Sequence, residues 1–90
     1  MTTRYHRHPD LRLTELAGEG VVLHLGDRRY FTVNGTGLAI LRALEAPGDF
    51  AAVVAAVLAE FDVAPEVAES TARAFLDQCV AANVIRAEPA

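Results

Sequence analysis

Few residues in this chain are of the kinds that carry chemistry. The single cysteine is Cys79, and the three histidines are His6, His8 and His24. A thiol acts as a nucleophile only as the thiolate, which needs a nearby cation or a helix N-terminus. Helical spacing puts Cys79 on an apolar face with no His or basic residue within a turn. It reads as a small core residue. One cysteine also excludes an internal disulfide and a thiolate metal cluster. His6 and His8 are close in sequence, but Arg4 and Arg7 oppose a cation there and no third ligand is evident. His24 falls on the outer side of a strand and is expected to be solvated. Carboxylates are abundant, yet no two are placed for acid–base work, and no nucleophile–base–orienter set is visible. Asn34-Gly-Thr-Gly37 suggests an anion-binding glycine loop. It lacks the length, the Lys and the parallel βαβ setting of a phosphate loop, so capping and tight packing explain it better. The expectation is no enzyme activity, no cofactor and no metal.

The elements that would position these residues fit in one domain, residues 1–90. Apolar residues make up 52% and charged residues 22%, a globular balance rather than a disordered one. A chain this small holds one modest core and no second lobe. The longest apolar stretch, Phe50 to Ala59, is about half a membrane span. Met1 to Asp10 is polar with no apolar h-region, so no secretory signal is expected and a cytoplasmic location is the default. The eight basic residues are all Arg and face twelve acids. Residues 1–42 carry +2 and residues 43–90 carry −6. Nucleic-acid binding rests on cations that neutralise phosphates, and the second half would repel DNA.

The first third of the chain alternates with a period of two. Leu11-Arg-Leu-Thr-Glu-Leu16, Val21-Val-Leu-His-Leu25 and Arg29-Tyr-Phe-Thr-Val33 read as strands. Val21, Leu23 and Leu25 are expected on the inner face of the second, and Phe31 and Val33 on that of the third. Ala17-Gly-Glu-Gly20 and Gly26-Asp27 supply turns, the two glycines of the first able to take positive φ. The period then becomes 3.6. Asn34 caps a helix with Leu38, Ile40, Leu41 and Leu44 as its stripe, which Pro47 ends. Asp49 caps a second, with Phe50, Val53, Val54, Val57, Leu58 and Phe61 apolar. Pro65 suits the first position of a third, with Glu66 and Glu69 near its positive end. Val67, Thr71, Phe75, Cys79 and Val80 are expected on its buried side. Asn83 fits a left-handed C-cap, and Val84 and Ile85 return to the core. The fold class is α+β: a three-stranded antiparallel sheet covered by three following helices.

Residues from about Leu23 to Ile85 resemble the PqqD-like family, the RiPP recognition elements that bind leader peptides in ribosomal peptide modification pathways. The resemblance lies in Tyr30-Phe-Thr-Val-Asn-Gly-Thr-Gly37, Leu38-Ala-Ile-Leu41, Glu60-Phe-Asp-Val63 with Pro65, and Phe75-Leu76 ahead of Asn83-Val-Ile85. The order and spacing of these stretches are more specific than any one of them. The Tyr30 to Gly37 segment looks most like the stand-alone recognition proteins of lasso peptide clusters. Ala64, Thr71, Ala72, Cys79 and Asn83 depart from the common pattern. The resemblance implies a winged-helix-like fold. It also implies that a precursor's leader adds as an antiparallel strand beside the third strand, in the groove toward the third helix. A protein of the quinone-cofactor pathway belongs to the same class with a different partner.

The residues allow that site on their own terms. A third strand with one neighbour exposes unpaired N–H and C=O groups, a hazard unless the edge is short, charged or used. A peptide could pair with it, its alternate side chains read by pockets. The candidate contacts are Arg28, Arg29, Tyr30, Phe31, Thr32 and Val33 on the strand, with Arg73, Leu76, Asp77 and Val80 on the helix. Each also has a plainer role. Phe31 and Val33 could be core only, Tyr30 an exposed strand residue, and Leu76 and Val80 sheet packing. Arg73 and Asp77 are four apart and could pair with each other. Arg28 and Arg29 could attract an acidic leader or be solvated. The expected partners are a precursor leader peptide and a maturation enzyme such as a leader peptidase, cyclase or radical enzyme, with no nucleic acid and no membrane. Two rivals stay open. One is a winged-helix DNA-binding regulator, which the acids of the third helix disfavour. The other is a structural module whose edge pairs with its own copy into a homodimer.

Overall fold

The computed structural model describes residues 3–89. Its elements in chain order are β1 (Thr3–Arg7), β2 (Leu11–Leu16), β3 (Glu19–His24), β4 (Arg29–Val33), α1 (Gly35–Ala43), β5 (Gly48–Asp49), α2 (Phe50–Glu60), α3 (Pro65–Ala81) and β6 (Ile85–Pro89). The predicted three-stranded antiparallel sheet is present as β2-β3-β4, followed by the three predicted helices. A second sheet, β5-β1-β6, was not expected. In it the polar N-terminal segment pairs antiparallel with the chain's end, Thr3 opposite Pro89 and Arg7 opposite Ile85. No helix among the described residues is long and apolar enough to cross a membrane.

The face of β3 is the reverse of the expectation. Ala17 (φ 55°) and Gly18 (φ 81°) form a two-residue hairpin loop with both central residues left-handed, the type I′ signature. That turn sets Leu16 opposite Glu19, and hence Leu13 opposite Val22 and Leu11 opposite His24. A side-chain period of two fixes the rest. Val22 and His24 are both 1% exposed, whereas Leu23 is 42% exposed and Leu25 also faces outward. His24 is therefore buried, not solvated. Its Nδ1 accepts from the Asp27 N–H at 3.1 Å, and its Nε2–H donates to the Asn83 carbonyl at 3.2 Å. Those partners satisfy both ring nitrogens of the neutral imidazole. Gly20 is not a turn residue. It lies in β3, where a Cβ would meet Val33 Cγ2 at 2.6 Å.

The helices begin and end as their capping residues dictate. Asn34 Oδ1 accepts from the Gly37 N–H at 2.9 Å, and Asp49 Oδ1 from the Ala52 N–H at 2.9 Å. Ala64 gives α3 no side-chain cap, but Pro65 sits at its first turn. Asn83 takes φ 63°, as expected of a left-handed terminator. Val84 N–H reaches back to the Cys79 carbonyl at 2.8 Å and Asn83 N–H to the Val80 carbonyl at 3.1 Å, the two bonds of a Schellman motif. The core gathers Ile40 and Leu41 of α1 with Leu44 at its C-cap, Val53 and Val57 of α2, Leu76 of α3, Val22, Tyr5 and Ile85. On α3 the buried stripe is Ala68, Ala72, Leu76 and Cys79. This corrects the sequence reading: Val67 and Val80 are 52% and 40% exposed, and Thr71 is exposed too. Small side chains carry the contact where α3 lies against its neighbours, and the larger valines are left outside.

Candidate functional site: an edge strand beside the third helix

β4 pairs with β3 alone, Arg29 opposite His24 through Val33 opposite Gly20. Its other side forms no strand pairing among the described residues. In an antiparallel ladder, alternate residues of a strand bond to each neighbour, so an edge strand leaves half its N–H and C=O groups pointing outward. Between this edge and α3 lies a cleft of about 320 Å³. Phe31 and Val33 form its strand side, Phe75, Gln78 and Cys79 its helix side, and Val84 closes it beyond the α3 C-cap. A second space of about 300 Å³ continues past the end of β4, where Thr36 and Gly37 of α1 face Thr71 and Ala74 of α3. The two spaces share Asn34, Phe75 and Gln78.

Glycine is required at position 37 for this construction. A Cβ there would stand 2.7 Å from Phe75 Cε1 and 3.0 Å from Val33 Cβ, so only a bare backbone lets α1 start this close to the cleft wall. Tight packing thus accounts for the glycine of the Asn34 to Gly37 segment.

Three of the six strand-side residues named from sequence fall at the cleft, and none of the four helix residues does. Phe31, Thr32 and Val33 line it. Tyr30 is exposed on the opposite sheet face, across from Leu23. Arg28 sits in the β3–β4 turn with φ 55°. The guanidinium of Arg29 lies 5.3 Å from the Phe31 ring centroid, with Nη2 3.4 Å from both Asp27 Oδ2 and the Ala82 carbonyl. It therefore spans from β4 to the end of α3. Leu76 is fully buried. Arg73 turns the other way: Nη1 donates to the Tyr5 hydroxyl at 2.9 Å and the guanidinium stacks on Phe50 at 4.1 Å. That contact takes Arg73 away from both the peptide-contact role and the alternative pairing with Asp77. Asp77 and Val80 are exposed and outside the cleft lining. At about 100° per residue, positions 73, 77 and 80 lie roughly opposite Phe75 on the helix. Phe75, Gln78, Cys79 and Ala82, which do line the cleft, were not proposed. Their i, i+3, i+4, i+7 spacing was the available signal.

Burial pushes the Cys79 thiol up to about 11 from its ordinary 9.0, which makes it a poor nucleophile. His6 Nε2 lies 3.0 Å from Glu88 Oε1, and His8 Nδ1 accepts from the Asp10 N–H at 3.0 Å. The described residues contain no group of three His, Cys, Asp or Glu side chains able to hold a metal ion.

The family model described as coenzyme PQQ synthesis protein D (PqqD) matches residues 19–85, a span that holds β3, β4, all three helices and the whole cleft. The chain belongs to the PqqD family. Two solved structures share the fold over nearly its full length. One is "TbiB1 in Complex with the TbiA(beta) Leader Peptide", 25% identical at a TM-score of 0.79, covering 90% of this chain and 94% of its own. The other is "Lasso peptide synthetase B1 complexed with the leader peptide", 19% identical at a TM-score of 0.74, covering 91% and 96%. No curated protein matches this PqqD-family chain.

Proposed function

We propose that this PqqD-family chain is a RiPP recognition element of the lasso type. It binds the leader segment of a ribosomally synthesised precursor peptide by strand addition to β4 beside α3, and delivers it to a modifying enzyme or leader peptidase. The observation that carries this reading is the unpaired outer edge of β4 facing α3 across an apolar cleft. The TbiB1 neighbour, solved with a leader peptide on a matching fold, supports it.

The physics of such a site follows from its parts. Main-chain bonds to the free edge of β4 give affinity with little sequence preference. Preference comes from the cleft, where burying one leucine-sized side chain contributes about 1.5–3 kcal/mol. A flexible leader loses entropy when it orders, so a Kd from micromolar to high nanomolar is the natural outcome. The chain itself performs no chemistry. Holding the leader raises the effective concentration of the attached core segment at a partner enzyme.

Fluorescence anisotropy with a labelled leader from a precursor encoded beside the gene tests the binding. Saturable binding is expected, and it should weaken when backbone amides are N-methylated at alternate leader positions. Binding insensitive to methylation in both registers refutes strand addition. No saturation with any such precursor refutes leader recognition altogether. Light scattering with and without peptide separates leader pairing from self-pairing of the same edge.

A further inference from the structure

The cleft has chemical polarity along its length. Its middle, beside Phe31 and Val33, is apolar, with Val22, Cys79, Ala82 and Val84 behind. Past Val33 the lining turns more polar: Thr36 and Thr71 join Asn34 and Gln78, which both spaces share, around Phe75 and Ala74. At the opposite end, beside the start of β4, stands Arg29. Among the described residues only its Nη2 has partners, both at 3.4 Å, the outer limit of a hydrogen bond. The side chain is 54% exposed, so its remaining N–H groups can turn to a new acceptor.

We infer that the site reads a directional pattern in its peptide: an uncharged hydrogen-bonding side chain first, an apolar anchor next, and a carboxylate last, in N-to-C order. This rests on the strand-addition reading above. A guest antiparallel to β4 enters beside Val33 and leaves beside Arg29, so its N-terminal part meets the threonines and its C-terminal part meets the cation. Arg29, Phe31 and Val33 share one face of β4, opposite His24, Val22 and Gly20. Guest side chains that face the cleft therefore recur at every second position, and the anchor and the carboxylate are separated by an even step. The carboxylate contributes mostly register and partner choice, as exposed rim charges do.

Selection of a phage-displayed library of random 12-residue peptides on the immobilised protein tests the order. Enriched peptides are expected to carry Asp or Glu two or four residues C-terminal to Leu, Phe or Tyr. A synthetic copy of the leading clone should bind Arg29→Glu about tenfold more weakly than the wild-type chain. Replacing its acid by Lys should bring binding to Arg29→Glu back to within about threefold of the original pair. Acids enriched on the N-terminal side, or a charge swap that fails to compensate, overturn the inference while leaving strand addition intact. A library that yields no binder refutes strand addition, and this inference with it.

Discussion

Gly37→Ala offers the sharpest test of the cleft. The added methyl would lie 2.7 Å from Phe75 Cε1, 3.0 Å from Val33 Cβ and 3.1 Å from Phe75 Cζ. Carbon atoms in good contact sit at about 3.5–4.0 Å, so the ring must withdraw by roughly 1 Å. Val33 Cβ is fixed to the backbone of β4 and cannot yield. Phe75 is half-buried, and the open volume beside it is the cleft itself. Overpacking of this kind costs about 1–3 kcal/mol, offset by up to about 1 kcal/mol from the better helix propensity of Ala. The net expectation is a loss of about 1 kcal/mol, which for a chain of this size lowers Tm by about 4–8 °C. Peptide affinity should fall more than stability does, by about tenfold, because the displaced ring blocks both chambers. Thermal melts followed by circular dichroism and anisotropy titrations measure the two effects. Phe75→Leu in the Gly37→Ala background should restore stability by removing the clash, and the coupling between the two sites is read from the double-mutant cycle. Unchanged peptide affinity in a destabilised Gly37→Ala protein would remove the cleft from the binding surface. A rise in Tm would mean that the ring has another place to go and that the packing argument is wrong.

Three further outcomes are expected. His24→Ala should cost about 2–4 kcal/mol in urea denaturation, since it empties a buried site and strips partners from Asn83 and Asp27, whereas Leu23→Ala should cost under about 1 kcal/mol. The reverse ranking would refute the assigned face of β3. Ala17→Asn should stabilise the protein by about 0.5–1 kcal/mol, because Asn-Gly suits a loop with two left-handed residues better than Ala-Gly; a lower denaturation midpoint would contradict the turn assignment. Cys79, neutral in the fold and shifted up to about 11, should react with iodoacetamide far more slowly at pH 8 than a free thiol. Its folded value lies above its unfolded one, so its contribution to stability is complete below pH 9 and is lost as pH rises toward 11. A Cys79→Ala protein whose stability falls just as steeply over that range would assign the loss elsewhere.

The legible parts of this fold are those dictated by neighbours in sequence. Asn34, Asp49 and Asn83 mark helix ends through bonds that reach only a few residues and Pro65 through its fixed φ and missing N–H, and all four occupy the expected positions. β4 and its inward Phe31 and Val33 were legible because Arg, Thr and Tyr separate them cleanly. β1 was not, since Thr-Arg-Tyr-His-Arg buries only Tyr5 fully and becomes a strand through partners about eighty residues away. The face of β3 was ambiguous because four of the five residues Val21 to Leu25 are apolar. The hairpin loop decided it, at the expense of burying a histidine and exposing two leucines. The wall of the site was misread for a related reason. The eye follows Val67 and Val80 along α3, while Ala68 and Ala72 mark the side where helices approach closely. Arg73, Asp77 and Val80 lie on the far flank of that buried stripe and Phe75, Gln78 and Ala82 on the near flank, so grouping the former with Leu76 turned the predicted contacts away from the cleft.

Thr3 and Pro89 are direct partners in the β1–β6 ladder. The chain therefore enters and leaves this fold at one spot, four residues and about 13 Å along β6 from Ile85. A tether attached at either end starts from nearly the same point and has nearly the same reach, so fusion order should matter little. A short bridge across those ends, with new ends opened in an exposed joint away from the cleft such as Asp62-Val63, would give a circular permutant in which the cleft keeps its shape.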